Sequence, residues 1–150
     1  MIQIYTMKKL ILLLLAFTSN CFAQNWQLNF DDAKTLAAKE NKNIILVFSG
    51  SDWCAPCIKL DKGIWQSEEF KSEAASKWIL VRADFPKKKQ NALTEAQQKQ
   101  NDGLAEKYNG EGNFPLVVVL DSNGKVLGKT GYKNISPVEY ITLLHTFENK

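Results

Sequence analysis

Cys54 and Cys57, in Trp53-Cys54-Ala55-Pro56-Cys57, are the residues whose type and spacing most directly imply chemistry. The thiolate is the reactive form of cysteine. At the start of a helix the free N–H groups favour it and lower the thiol pKa by roughly one to several units. A second Cys three positions on lies on the same helical face, one turn along. It is placed to attack a mixed disulfide formed by the first and so release a substrate as a dithiol. Pro56 suits the first turn, where its missing N–H costs no bond. Ala55 and Pro56 therefore read as support for the pair, and Trp53 as a shield on one side of it.

Two other uses of the pair compete. A CxxC is half of a zinc site, but a structural zinc needs four ligands. The chain offers no second CxxC and a single distant histidine, His145, so no metal is expected. A purely structural disulfide would close too short a loop to stabilise much through chain entropy. Elsewhere, Asp52 adjoins Trp53 and reads as a solvent-facing loop acid, with proton transfer as a lesser reading. Lys59, just beyond Cys57, reads as an exposed helix lysine, with tuning of the thiolate as the alternative. Trp65, Trp78 and Tyr132 read as core or rim aromatics, His145 as a packing or surface residue, and Lys87-Lys88-Lys89 as a solvated loop.

These residues need elements to hold them. Asn43 to Phe48 is a continuous apolar run of strand length, as expected for a strand buried on both faces. Ser49-Gly50-Ser51-Asp52 is turn chemistry, and a helix should begin near Cys54. Before this, Asn25 to Phe30 reads as a short strand or lead-in and Asp31 to Asn41 as a helix facing inward with Ala33, Leu36 and Ala37. After it, Ser67-Glu68-Glu69 opens a helix and Trp78 to Asp84 is a strand. The polar stretch from Pro86 to Gly112 contains a capping pattern at Thr94 to Gln97, in a helix that Gly103 is expected to interrupt. Pro115 to Leu120 and Lys125 to Thr130 form a hairpin about Asp121-Ser122-Asn123-Gly124. Ser136-Pro137-Val138-Glu139 starts a last helix running to about Phe147. Helices between buried strands imply parallel crossovers, and the tight turn implies an antiparallel edge. The fold class is therefore α/β with a mixed sheet.

The chain has 150 residues, 45% of them hydrophobic and 23% charged, which is a globular mix sized for one domain. Lys8-Lys9, the apolar run Leu10 to Phe17 and the small-x-small site Cys21-Phe22-Ala23 read as a signal peptide over 1–23, leaving a domain over 24–150. An exported, periplasmic or extracellular protein is expected. A lipoprotein acylated at Cys21 is the alternative, although Thr18-Ser19-Asn20 is a poor match to the segment that precedes such a cysteine. Without Lys8 and Lys9 the chain keeps 17 basic residues against 16 acidic ones, and nothing in that balance calls for nucleic acid.

The segment Phe48-Ser49-Gly50-Ser51-Asp52-Trp53-Cys54-Ala55-Pro56-Cys57, followed by Phe114-Pro115 and a hairpin, resembles the active site of the thioredoxin superfamily. More narrowly, it is similar to secreted bacterial thioredoxin-like proteins related to the thioredoxin-like domain of the membrane reductant conductor DsbD. The resemblance covers about Phe30 to Phe147. It implies a thioredoxin fold, with a mixed central sheet and an antiparallel C-terminal hairpin flanked by helices. It implies Cys54 as nucleophile, Cys57 as resolving thiol, and Pro115 as a cis-proline facing them. Phe114 would pair its backbone with an extended substrate, and no cofactor beyond the cysteine pair is implied.

Two features depart from the family pattern. Thioredoxin has a buried aspartate where this chain has Phe48, and the connection over 86–112 is longer, read by default as a solvated insertion. The expected activity is a protein-disulfide reductase acting as a monomer on disulfide-bearing proteins and recharged by a membrane thiol reductant. The Cys-Ala-Pro-Cys sequence tilts towards reduction. The scaffold spans potentials from about −270 to about −120 mV, so oxidase or isomerase activity is the first alternative. A peptide-binding, chaperone-like module is the second.

Overall fold

The computed structural model describes residues 24–149; the expected signal peptide lies outside the described residues. Five strands form one sheet: β1 (Trp26–Gln27), β2 (Asn43–Ser49), β3 (Trp78–Asp84), β4 (Leu116–Leu120) and β5 (Val126–Thr130), in the order β1-β3-β2-β4-β5. The helices are α1 (Phe30–Glu40), α2 (Ala55–Leu60), α3 (Glu68–Lys77), α4 (Glu95–Tyr108) and α5 (Pro137–Glu148). Helix α2 runs on into a wider π turn over Asp61–Trp65.

The period of two along β2 explains the layering. Ile44, Leu46 and Phe48 point to one face and pack with Phe30, Ala33 and Ala37 of α1 and Leu104 and Tyr108 of α4. Ile45 and Val47 point to the other face and meet Leu60, Trp65, Phe70, Tyr140 and Leu144. Burying β2 on both faces accounts for its unbroken apolar run. Helix starts follow local chemistry: Asn29, Ser67, Thr94 and Ser136 each cap a helix through a side-chain oxygen. At Ser136 the full capping box forms, and its bonds hold the Glu139 carboxyl below its ordinary pKa.

Strands β1, β2 and β3 are parallel, whereas β4 runs antiparallel to both β2 and β5. The expectation of parallel crossovers thus fails for the β3–α4–β4 connection. Ser49 pairs with Asp84 and Phe48 with Leu116, so the chain leaves β3 and enters β4 at the same end of the sheet. Helix α4 also corrects two readings of the 86–112 stretch. It continues through Gly103, and it is no solvated insertion, because Asn101, Leu104 and Tyr108 are buried. A mid-helix glycine costs about 1 kcal/mol, which this packing offsets. The hairpin turn is tied to α4 as well. The Tyr108 hydroxyl donates to the Gly124 carbonyl at 2.9 Å, and Gly124 has φ +84°, a backbone state that suits glycine.

Candidate active site

The strand register brings three loops to one end of the sheet. These are the turn after β2 (50–54), the segment after β3 (85–93) and the segment before β4 (109–115).

The turn carries the cysteines. Cys54 is the N-cap of α2, and its sulfur accepts from the Cys57 amide at 3.3 Å. The Cys57 sulfur accepts from the Gly50 amide at 3.5 Å. Each sulfur therefore has a backbone N–H donor, an arrangement that favours negative charge on it. The two are joined as a disulfide, S–S 2.13 Å, and both residues are 3% exposed. Pro56 lies in the first turn of α2, and Lys59 is exposed on that helix.

Trp53 is 38% exposed, and its indole N–H donates to the Phe85 carbonyl at 2.7 Å. Its ring packs edge-on against Phe114 at 5.5 Å. Phe114 packs edge-on against Phe85 at 5.4 Å, and Phe85 stacks on Phe48 at 6.5 Å. An aromatic ladder thus runs from the core to the rim. Its foot is Phe48, fully buried on β2. A Cβ on Gly50 would overlap the Trp53 indole, so glycine is what lets the ring lie across the turn.

Asp52 clamps the neighbouring segment. Its carboxylate accepts from the Lys87 amide at 2.9 Å, the Lys88 amide at 3.0 Å and the Asn91 side chain at 2.9 Å. The Lys87 amide first, then the Asn91 side chain, holds the Asp52 carboxyl below its ordinary value of 3.8. Next to it, Ser51 donates to Asp84 through both its amide and its hydroxyl.

The Phe114–Pro115 peptide bond is cis. Pro56, Phe114, Pro115, Gly131 and Tyr132 line an open groove of about 440 Å³, which puts the cysteine-bearing helix and the cis-proline on one concavity. Asn109, buried at the end of α4, exchanges two 2.9 Å bonds with the backbone of Asn113 and so fixes the approach to Phe114.

A thioredoxin-like family model matches residues 25–122. The chain belongs to the thioredoxin-like family. Its relatives include a Chlamydia pneumoniae protein named disulfide bond reductase DsbH, 36% identical over 117 residues, which are 78% of this chain and 68% of that one. The solved structure of a DsbH oxidoreductase superposes with TM-score 0.76 at 34% identity, covering 87% of this chain and 89% of that one. The C-terminal domain of Neisseria meningitidis DsbD in the oxidised form superposes with TM-score 0.52, covering 77% and 89%; at 16% identity it shows the shared fold alone.

The protein is therefore a thioredoxin-fold member of a thiol–disulfide oxidoreductase family, carrying the CxxC pair as a redox disulfide. No group of three or more His, Cys, Asp or Glu residues is placed to hold a metal among the described residues. Also among them, no helix is long and apolar enough to cross a membrane.

Of the residues singled out from sequence, Asp52, Trp53, Cys54, Ala55, Pro56 and Cys57 sit on the turn and α2, with Phe114 and Pro115 beside them. Lys87 proves to be part of this end, its Nζ lying 3.9 Å from the Trp53 ring centroid. Phe85 and Asn109 went unnoticed in the sequence. A lone Phe directly after a strand was the available signal for the first, and Asn109 offered none. His145 lies elsewhere, near the start of β2 and β3, with its ring nitrogens against Glu73 and Glu148.

Proposed function

We propose that this protein is an exported disulfide reductase, with Cys54 as nucleophile and Cys57 as resolving thiol. The observation that carries the reading is the placement of both sulfurs at the start of α2, each facing a backbone N–H, beside the cis-proline groove. Similarity to a protein named disulfide bond reductase supports the direction.

In the dithiol form, the Cys54 thiolate attacks one sulfur of a substrate disulfide. A Cys54–substrate disulfide forms, and the other substrate sulfur leaves as a thiolate. Cys57, after losing its proton to water, attacks the Cys54 sulfur. The intramolecular disulfide forms and the second substrate thiolate departs. Two electrons have passed from the protein to the substrate, whose thiolates take protons from water. The Cys54–Cys57 disulfide is the resulting state, and a membrane thiol reductant returns two electrons to it.

The groove gives an extended substrate its seat, with the backbone of Phe114 pairing by strand addition and Trp53 packing over the reacting sulfurs. Asp52 supports this arrangement from outside. A carboxylate saturated by three N–H donors and held below its ordinary pKa is a poor proton acceptor near neutrality, so water takes the proton of Cys57.

The test is the reduction potential of the pair in glutathione or dithiothreitol buffers, together with insulin reduction. A potential near the thioredoxin value of about −270 mV is expected. A potential near that of DsbA, about −120 mV, overturns reduction in favour of oxidation or isomerisation. Export is tested by sequencing the secreted protein's N-terminus, expected at Gln24; retention of residues 1–23 in the cytosol overturns it.

A further inference from the structure

Lys87, Lys88 and Lys89 are consecutive, exposed, and held against the active-site turn. Asp52 binds the amides of Lys87 and Lys88. A single 3-10 turn over Lys89–Asn91 closes through the Asn91 amide on the Lys88 carbonyl at 2.9 Å. The three side chains therefore project from a fixed backbone, unlike those of a mobile charge run. Lys87 lies over the Trp53 indole, one residue from Cys54.

None of the three makes a salt bridge among the described residues, as is true of most lysines there, and what sets them apart is their place against the cysteine turn. Asp52 lies against this segment, and its single negative charge, which interacts with Lys88, offsets one of the three lysines. The result is a rim in which positive charge outnumbers negative. Trp53 touches Phe114 of the groove with its edge contact and Lys87 of the rim with its ring face, so it stands between groove and rim. A peptide seated along Phe114 with its disulfide at Cys54 has its next few residues within reach of the lysines.

We propose that this lysine rim selects disulfide substrates carrying acidic residues within a few positions of the attacked cysteine, an inference that rests on the thiol–disulfide exchange proposed above. Opposite charge at an exposed rim acts mainly by raising the association rate, and salt screens it.

The test uses three synthetic peptides that share one intramolecular disulfide and differ only in flanking residues, which are Asp/Glu, Ser or Lys/Arg. Their single-turnover reduction by the dithiol protein is followed at low and high salt. The acidic peptide is expected to react about ten-fold faster than the basic one at low salt, with the ratio collapsing at high salt. In the double variant Lys88→Glu/Lys89→Glu the preference should invert, with thermal melting verifying the fold. A second variant, Lys88→Gln/Lys89→Gln, removes two of the three charges without reversing them and should bring the three rates closer together. Equal rates for the three peptides with the unmodified protein, or a preference that survives charge reversal, overturn this inference alone. Failure to reduce any of the peptides overturns the oxidoreductase reading and this inference with it.

Discussion

Two tryptophans mark opposite ends of the sheet and are held in opposite ways. Trp78, at the start of β3, is 3% exposed; its indole N–H donates to Glu148 at 2.8 Å, and its ring meets His145 at 4.8 Å. Glu148 also accepts from Asn43 at 2.8 Å, and the far side of His145 faces Glu73 at 2.7 Å. That end uses side chains to tie the last helix to the starts of two strands. Trp53 at the other end also spends its N–H on an anchor, a backbone carbonyl, yet it leaves its ring on display with a lysine above it. Similar residue types therefore seal one end and present a surface at the other. The difference lies in what arrives there: a helix terminus at the first, three loop segments and two cysteines at the second.

The comparison breaks most visibly at the sulfurs. Cys54→Ser should reduce insulin-reducing turnover to background, while Cys57→Ser should accumulate a mixed disulfide detectable by mass. Retained turnover in Cys54→Ser would move the chemistry away from this end of the sheet.

The tryptophans come next. Trp78→Ala should cost about 3–5 kcal/mol in denaturant unfolding, because it empties a packed site and removes one of the bonds that hold Glu148. Its rate constant towards a small disulfide such as a glutathione dimer should stay at the unmodified value. Trp53→Ala should cost less than about 1 kcal/mol, in line with its exposure, yet slow exchange with peptide disulfides. Equal stability losses from the two substitutions would mean that the ends are not built differently.

A smaller effect is expected at Gly50. Gly50→Ala forces a methyl group into the indole of Trp53 and should cost about 1–3 kcal/mol, as overpacking does. Quenching of Trp53 fluorescence by added iodide should rise as the ring is displaced. Unchanged quenching with unchanged stability would show that the turn accommodates a side chain.

These features were unevenly legible in the sequence. The β2 run, the Ser136 capping box, the 121–124 turn and the Cys54–Cys57 pair are local, so short windows contain all the information that defines them. The convergence of three loops depends on pairing Ser49 with Asp84 and Phe48 with Leu116, contacts between residues far apart in the chain. No local pattern encodes that register, so Phe85 and Asn109 carried no sign of their place, and Lys87-Lys88-Lys89 read only as a solvated loop. Helix α4 was misread for a related reason: Gly103 lowers helix propensity locally, while Leu104 and Tyr108 gain their packing only once the sheet exists. The π turn at Asp61–Trp65 follows the same logic. Ile64 and Trp65 are buried against α5 and the sheet, and Asp61 reaches Arg82 of β3 at 2.8 Å.

The smallest expected effect concerns Asp52, and it separates a clamp from a proton carrier. Its folded pKa is lowered from 3.8, chiefly by the Lys87 amide and then by Asn91. For a carboxyl with a depressed folded value, the linked stabilisation is complete above the unfolded value and is lost as pH falls through the folded one. The clamp is therefore intact at neutral pH and releases only in acid, below 3.8. In an NMR titration, the amide protons of Lys87 and Lys88 should hold constant shifts from pH 8 down to about 5 and move together at a midpoint under the ordinary aspartate value. In Asp52→Asn the same amides should show no such midpoint, since the side-chain amide still accepts but does not titrate. A midpoint near 6 would return Asp52 to candidacy as the acid that serves Cys57, in the role for which Phe48 leaves no carboxylate on β2. A midpoint in acid would instead leave that proton to water and keep Asp52 as the residue that binds the lysine-bearing segment to the cysteine turn.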